Sequence, residues 1–374
     1  MDFAMKFIFI FISKLLGLIP KSENILVFNS FPDYTDNSYA LYRYLMNNKK
    51  YKYKLIWIFN DKTSICKYQE VTAYYKFSFK AFYYFAKAKF VFSTHGLYSF
   101  LELNQGLKLV NLWHGMPLKT IGSMDLQRDG SSPTKADYLI ATSEFFQKIM
   151  AKSFNDLPID RVLLTGQPRN DLLFEETLFF ENYGIDIKQF NSIGIWLPTY
   201  RQSIVGDIRK DGVYNENGIS FLTMNELQKL DDFLQKNSSL LIVKLHPMDA
   251  LQYVDFAHLK NLIIIKPKEF KEQLYPLLGK CDYLLTDYSS VWIDYCILKR
   301  PIGFVMNDIE EYKKSRGLTI ENLDEKLPGT IINTFDKLTL FISNLPEFDN
   351  KNVELYNKYF DNKASERLIN YFNL

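Results

Sequence analysis

Short runs of apolar, β-branched and aromatic residues alternate with longer amphipathic stretches along the whole chain. This alternation is typical of βαβ units, in which helices join parallel strands. The pattern predicts twelve strands: Asn24–Phe28, Lys54–Phe59, Phe90–Ser93, Leu107–Leu112, Tyr138–Thr142, Arg161–Thr165, Ile193–Leu197, Leu240–Leu245, Leu262–Ile265, Tyr283–Thr286, Ile302–Met306 and Thr330–Ile332. Two similar halves predict an α/β fold of two Rossmann-like, doubly wound domains facing a central cleft.

The domain boundary is expected in the polar stretch Thr177–Asn191. It gives an N-terminal, acceptor-side domain over residues 21–180 and a C-terminal, donor-binding domain over residues 181–350. Residues 351–374 are expected to form a C-terminal helix that packs back across the domains. The segment Arg201–Ser220 has little apolar content and several glycines, which predicts a flexible loop able to cover a site.

The N-terminal stretch Phe3–Pro20 is strongly apolar but is interrupted by Lys6 and Lys14. A membrane-spanning helix needs about 20 apolar residues, and no small-residue cleavage site follows, so neither a span nor a signal peptide is predicted. We predict an in-plane anchor helix over residues 1–20, with its apolar side chains in lipid and its lysines at the headgroups. An ordinary amphipathic core helix is the alternative.

Composition narrows the class of protein. With 374 residues, 47% of them hydrophobic and 24% charged, the chain suits two globular domains. The net charge of +2 argues against nucleic-acid binding. Three cysteines and four histidines show no metal-ligand spacing, so we expect no metal site, no cofactor and a reducing compartment.

Unusually polar motifs follow the predicted strands. Ligands of open α/β sheets bind beyond the carboxyl ends of the strands, so these motifs are candidate sites. They are Ser93–Gly96, Trp113–Lys119, Gly166–Asp171, Pro198–Arg201, Lys244–Pro247 and Thr286–Ser290.

Three of the four histidines lie in these motifs. Imidazole titrates near neutral pH and suits proton transfer with a hydroxyl, which makes His114 and His246 candidate catalytic residues. Gly115 permits a tight turn beside His114, and Lys119 adds a positive charge, so both are candidates on the acceptor side. His95 is a candidate on the acceptor side, with a structural role as the alternative.

Residues of the second half suggest a phosphate site. Ser289 and Ser290 precede a predicted helix, whose free amides and dipole could bind a diphosphate; simple helix capping is the alternative. Asp294 could accept a ribose hydroxyl or merely favour the helix dipole. Arg169 and Arg201 are phosphate candidates through their guanidinium groups, or else form surface salt bridges. Three polar neighbours in the same motifs complete the predicted donor site: Asn170, Thr199 and Asp287.

The stretch Tyr74–Lys89 interleaves Tyr and Phe with Lys76, Lys80, Lys87 and Lys89. Such a surface could face anionic lipid or a phosphorylated acceptor. A solvated helix face is the alternative.

Taken together, these motifs resemble the CDP-glycerol glycerophosphotransferases, which prime or polymerise wall teichoic acids and related capsules. The resemblance runs from about Ile25 to Arg367 and includes the tail Asp361–Arg367. Met116 departs from the Thr common in the family, and Leu327–Thr330 matches the family's Pro-Gly-Pro turn only in part. The resemblance implies a GT-B fold without a metal-binding DxD motif, and a peripheral protein of the cytoplasmic membrane face.

The resemblance further implies that an acceptor hydroxyl attacks the donor's polyol-bearing phosphorus and releases CMP. The hypothesis is that His114 acts as general base, while His246, Arg201, Ser289 and Ser290 bind the diphosphate. A GT-B glycosyltransferase using a nucleotide sugar and a catalytically silent membrane scaffold are the alternatives. Glycerol or ribitol phosphate, primer or polymer, and the oligomeric state are left open by the sequence.

Overall fold

The computed structural model describes residues 13–101, 106–125, 134–199, 218–246, 254–306 and 318–374. The chain divides into two compact units. The first contains residues 1–116, 121–172 and 361–374, and the second contains residues 117–120 and 173–360. The change of unit between Leu172 and Leu173 comes just before the predicted boundary stretch Thr177–Asn191, and the C-terminal residues 361–374 belong to the first unit.

The first unit is built on a parallel sheet of seven strands in the order β3-β2-β1-β4-β5-β6-β7. The strands are β1 Ser22–Asn29, β2 Lys54–Phe59, β3 Ala73–Tyr75, β4 Ala88–Ser93, β5 Lys108–Asn111, β6 Tyr138–Ala141 and β7 Val162–Leu164. Its helices are α1 Asp36–Asn47, α2 Lys62–Lys67, α3 Phe79–Lys87 and α4 Glu144–Ser153, together with the C-terminal helix Ala364–Phe372. The strand order reverses between β1 and β4, which is where doubly wound folds place their ligands.

Both faces of this sheet are buried, as parallel sheets require. Alternate residues of β1 serve the two faces: Leu26 and Phe28 join a cluster with the C-terminal helix, whereas Ile25 and Val27 join a cluster with α3. All-apolar strands therefore follow directly from a sheet covered on both sides.

The second unit contains a parallel sheet of six strands in the order β12-β11-β8-β13-β14-β15 and a small antiparallel pair, β9 and β10. The strands are β8 Ser192–Leu197, β9 Gly218–Ile219, β10 Leu222–Thr223, β11 Ser239–Lys244, β12 Leu262–Ile265, β13 Tyr283–Thr286, β14 Ile302–Val305 and β15 Thr330–Ile332. The helices are α5 Phe179–Asn182, α6 Met224–Lys236, α7 Leu274–Lys280, α8 Val291–Tyr295, α9 Leu323–Lys326, α10 Phe335–Asn344 and α11 Val353–Tyr356; the C-terminal helix Ala364–Phe372 is therefore α12. The order reverses between β8 and β13.

Helices α6 and α10 cover one face of the second sheet. Leu227, Leu230 and Leu234 of α6 are fully buried against strand residues such as Trp196. The spacing of three and four residues places these leucines on one side of the helix. A capping box between Thr223 and Glu226 fixes where α6 begins.

All twelve predicted strands are confirmed, and their ends differ from the predicted ends by at most two residues. The short strand β3 and the pair β9–β10 were not predicted. Of the predicted anchor helix, residues 1–12 lie outside the described part of the chain, and residues 13–17 are helical. Within the described ranges, no helix has the length and apolar character needed to cross a membrane.

Candidate functional site

His114 lies in the loop that follows β5, and His95 lies in the loop that follows the neighbouring strand β4. The two imidazole rings are parallel within 5°, and their centroids are 4.1 Å apart. The indole of Trp113 also lies against His114, with centroids 4.2 Å apart. The strand-end position of both histidines therefore brings them into direct contact at one edge of the first sheet.

The backbone of the His114 loop turns sharply. Trp113 has a φ of 51° and Gly115 a φ of 137°, both in the region that favours glycine. The amide of Trp113 donates to Oδ1 of Asn111, 2.9 Å away. The expected tight turn beside His114 is present at Gly115, and a second unusual residue, Trp113, shares it.

Three polar residues, Asn37, Arg169 and Asp36, support the His114 loop through hydrogen bonds and an ion pair. Asn37, at the start of α1, donates from Nδ2 to the carbonyls of Leu112 and Trp113, each at 3.0 Å, and accepts from the amide of Arg169 at 3.0 Å. Arg169 donates from Nη1 to the carbonyl of His114 at 2.9 Å and pairs with Asp36 at 3.0 Å. Arg169 is thus bonded within the first unit, which favours a positioning role over the predicted phosphate contact.

The surroundings of His114 suit a neutral base. Its Nδ1 lies 3.3 Å from the carbonyl oxygen of Thr94, which can only accept a hydrogen bond. The Nδ1 therefore carries the proton, and Nε2 keeps a lone pair. Burial lowers the pKa of His114, with a smaller lowering from Arg169; the Thr94 carbonyl and Asp36 oppose this. The side chain still has accessible surface, so a substrate hydroxyl can reach it.

In the second unit, His246 follows β11 and lies near two lysines. Burial, together with the positive charges of Lys244 and Lys119, lowers the pKa of His246 to about 4. Lys119 was predicted on the acceptor side, but it belongs to the second unit. Its backbone pairs with Leu318, and the amide of Thr319 donates to the carbonyl of Leu118 at 2.9 Å. Lys119 and Lys244 therefore place two positive charges near the neutral imidazole of His246, which suits an anionic ligand. Lys244 was quoted in the sequence motif but was not among the predicted site residues.

The turn after β8 is tied to the end of β13. Asp287 accepts from the amide of Thr199 at 3.0 Å and from its hydroxyl at 2.9 Å, so its carboxylate orients that turn. Ser289 and Ser290 follow at the start of α8 and are partly exposed. Helix α8 has only five residues, and the side chain of Ser290 makes no capping bond. The hydroxyl of Ser289 accepts from the amide of Val291 at 3.4 Å, so simple capping, the alternative from the sequence, is left to Ser289.

Asp294 requires a correction. It is fully buried, and its Oδ2 accepts a hydrogen bond of 2.6 Å from the hydroxyl of Tyr275. A carboxylate in the interior of the unit cannot contact a ribose hydroxyl without local unfolding, so Asp294 is not carried forward as a donor-binding residue.

The structure does not assign a ligand contact to two other predicted donor-site residues, Arg201 and Asn170. Arg201 lies outside the described residues. Asn170 is buried, and its amide nitrogen and oxygen make no hydrogen bond to the described protein atoms. Asp36 and Asn37 were missed, although they follow β1 at the same edge of the sheet; their polar run after a predicted strand was the available signal. Within the described ranges, no group of three His, Cys, Asp or Glu side chains could hold a metal ion.

The tail motif Asp361–Arg367 has a structural explanation. Asp171 accepts from the amides of Ala364 and Ser365, each at 2.8 Å, and so caps α12. Arg367 donates from Nε to the carbonyl of Thr165 at 2.8 Å and pairs with Asp361 at 2.9 Å. These contacts fasten the C-terminal helix to the first unit.

Comparisons with known proteins identify the family and the fold. The model of the family described as CDP-Glycerol:Poly(glycerophosphate) glycerophosphotransferase matches residues 11–373. The chain is 26% identical to the teichoic acid poly(glycerol phosphate) polymerase of Bacillus spizizenii, over 88% of this chain and 86% of that protein. It is 28% identical to the teichoic acid glycerol-phosphate transferase of Staphylococcus aureus, over 95% and 94%. A solved structure of the wall teichoic acid polymerase TagF with CDPG superposes with a TM-score of 0.76 at 21% identity, over 97% of this chain and 92% of that one. This likeness confirms the predicted fold of two Rossmann-like units of the GT-B type.

Proposed function

This chain belongs to the CDP-glycerol:poly(glycerophosphate) glycerophosphotransferase family, and it therefore transfers a polyol phosphate from a CDP-linked donor. We propose that the acceptor is a membrane-linked teichoic acid or capsule precursor. The resemblance predicted from the motifs is confirmed by the family match. The observation that carries the proposed mechanism is the accessible imidazole of His114, whose Nδ1 is fixed by a carbonyl so that Nε2 can accept a proton.

In the proposed reaction, His114 acts as general base. The acceptor hydroxyl gives its proton to Nε2 while its oxygen forms a bond to the polyol-bearing phosphorus. The bond from that phosphorus to the oxygen of CMP breaks, and its electron pair leaves with CMP. The imidazolium then returns its proton to solvent. The lowered pKa of His114 keeps the base neutral and ready at pH 7.

Lys119 and Lys244, with the neutral imidazole of His246 near them, are proposed to bind the diphosphate of the donor. Lysine charges lower the energy of the negative charge that moves onto the leaving phosphate. Ser289 and Ser290 supply hydroxyl donors in the same unit, beside the turn that Asp287 orients. Arg201 remains a proposed phosphate ligand on sequence grounds alone.

A donor panel tests the reaction and separates it from sugar transfer. The protein is incubated with CDP-glycerol, CDP-ribitol or a set of sugar nucleotides, together with a lipid-linked acceptor, and released nucleotide and product mass are measured. We expect CMP release and a phosphodiester product with a CDP-polyol only. Turnover with a sugar nucleotide alone supports the glycosyltransferase, and absence of any turnover supports the silent scaffold.

Two variants test the base. His114→Ala should reduce CMP release by a hundredfold or more, since such groups contribute about 10²–10⁴-fold. CDP binding by calorimetry should be unchanged. His258→Ala is the matched control, because His258 is exposed in the second unit and has no assigned role. Activity of His114→Ala within tenfold of the parent contradicts the assignment.

We also propose that the basic aromatic surface, Tyr74–Lys89, contacts anionic lipid. No acidic residue occurs between Val71 and Leu101, and this stretch contains four lysines. Phe77 and Phe79 are 60% and 84% exposed and lie within this basic stretch, so both rings are available to an apolar phase. The charge attracts the anionic headgroups, and the exposed rings enter the interface.

Sedimentation with phosphatidylglycerol vesicles tests this surface. The double variant Phe77→Ser and Phe79→Ser should bind such vesicles at least tenfold more weakly. Leu340→Ser is the control, since Leu340 is also 60% exposed but lies in the second unit. Equal binding of the double variant and the parent means that another part of the chain, such as residues 1–20, is responsible.

A further inference from the structure

The stacked histidines share one neighbour, Thr94, which contacts a ring nitrogen of each. The carbonyl oxygen of Thr94 lies 3.3 Å from Nδ1 of His114, and its hydroxyl oxygen lies 2.9 Å from Nδ1 of His95. One residue therefore contacts the Nδ1 atoms of both rings, the first through its backbone and the second through its side chain.

These two contacts require opposite proton positions. The carbonyl only accepts, so Nδ1 of His114 is protonated. The Thr94 hydroxyl oxygen already accepts from the amide of Phe31 at 3.3 Å, and Thr94 is fully buried. A buried hydroxyl needs an acceptor for its own proton, and Nδ1 of His95 is within reach. His95 is therefore protonated at Nε2.

We propose that Thr94 is a positioning residue that sets complementary tautomers on the stacked pair, so that His114 presents a lone pair and His95 presents an N–H to the reacting oxygens. Both Nδ1 atoms face Thr94 and the rings are parallel, so both Nε2 atoms lie on the side away from Thr94. His114 takes the hydroxyl proton, and the N–H of His95 donates a hydrogen bond to the attacking oxygen or to a phosphoryl oxygen. This inference rests on the proposed reaction for its consequence in catalysis, but the tautomers themselves do not.

The electrostatics of the pair are consistent with this division. The other charged groups that act on His114 are Asp36, which favours a positive charge on the ring, and Arg169, which opposes it. Burial and the neighbouring His114 lower the pKa of His95 to about 4. His95 therefore stays neutral at pH 7 and does not add a second positive charge when His114 takes a proton.

Nitrogen-15 NMR of the histidine-labelled full chain tests the tautomers directly, and only four histidines need to be assigned. At pH 7 we expect His114 in the Nδ1–H form and His95 in the Nε2–H form. Thr94→Val removes the hydroxyl but keeps the carbonyl, so it should change the His95 signals and leave the His114 tautomer in place. The same tautomer on both rings, or an unchanged His95 in Thr94→Val, overturns the proposal whatever the donor panel shows.

Kinetics test the consequence. Thr94→Val should lower kcat for CMP release tenfold or more with the donor KM within twofold, and Thr94→Ser should recover most of kcat. His95→Gln retains an N–H donor and should be more active than His95→Phe, which retains only the ring. Equal losses in Thr94→Val and Thr94→Ser, with equally lowered unfolding midpoints, mean a structural role only and refute the proposal.

Discussion

The role of Arg169 can be tested directly, because two roles are in question. The sequence suggests that it binds phosphate, whereas the structure shows that it donates to the carbonyl of His114 and so positions that loop. The side chains of Arg169 and Asp36 retain 6% and 17% of their exposure. Removing one partner of a buried ion pair costs about 3–5 kcal/mol, and the partial exposure of Asp36 favours the lower end, about 3 kcal/mol. The carbonyl of His114 also loses its donor, which adds about 1 kcal/mol. Arg169→Ala should therefore reduce the free energy of unfolding by about 4 kcal/mol.

Urea unfolding and steady-state kinetics of CMP release measure both sides of this prediction. A positioning role lowers kcat and leaves the donor KM within about threefold, since the His114 loop loses its support. Arg169→Lys should lie between Ala and the parent, because ammonium keeps the charge but not the planar fork. Exposed Arg161→Ala is the control and should change the free energy of unfolding by less than about 0.5 kcal/mol. A donor KM raised more than tenfold with unchanged stability would refute the reasoning and restore Arg169 as a phosphate ligand.

Three further predictions concern the two units. Asp231 is fully buried and accepts from the amides of Lys260, Asn261 and Leu262 at 2.7–3.1 Å; Asp231→Ala leaves three donors without a partner and should cost about 3 kcal/mol or more in urea unfolding. A Cβ on Gly279 would lie 1.9 Å from the Leu173 carbonyl oxygen, so Gly279→Ala should lower Tm in calorimetry, by overpacking worth about 1–3 kcal/mol. Because the pKa of His95 falls to about 4 on folding, the unfolded chain binds more protons than the folded chain between pH 6.5 and 4. The free energy of unfolding should therefore fall as pH falls through this window, by at most about 3 kcal/mol. The loss of this free energy between pH 7 and pH 5 should be smaller in His95→Gln than in the parent, and equal losses would contradict the prediction.

Local pattern was sufficient for the strands and for the histidine loops, because a doubly wound sheet buries its strands on both faces and exposes polar residues where they end. Strand β3 was missed because Ala73–Tyr75 runs into the aromatic pattern of α3, and three residues are too few to show a period. The partners of Arg169 could not be predicted, since Asp36 lies 133 positions away and nothing local links the two. The sequence did not distinguish Asp287 from Asp294, since both lie near the predicted start of the same helix. Tertiary packing separates them: Asp287 bonds to Thr199, whereas Asp294 is buried against Tyr275.

The segment Gly166–Asp171 explains why motifs far apart in the chain occur together. Gly166 turns the chain at a φ of 77°, and the two charged residues that follow it, Arg169 and Asp171, make contacts in different places. Arg169 supports the carbonyl of His114, while Asp171, five residues after that turn, caps the C-terminal helix through the amides of Ala364 and Ser365. Burial raises the pKa of Asp171 to about 6, although its bonds to Ser365 and Ala364 and the nearby Arg367 lower it, so the ionised carboxylate at pH 7 carries a net cost in stability. The position of Asp171 explains this cost. Asp171 joins the C-terminal helix to the same short segment that carries Arg169, and Arg169 in turn contacts the loop of the proposed base, His114.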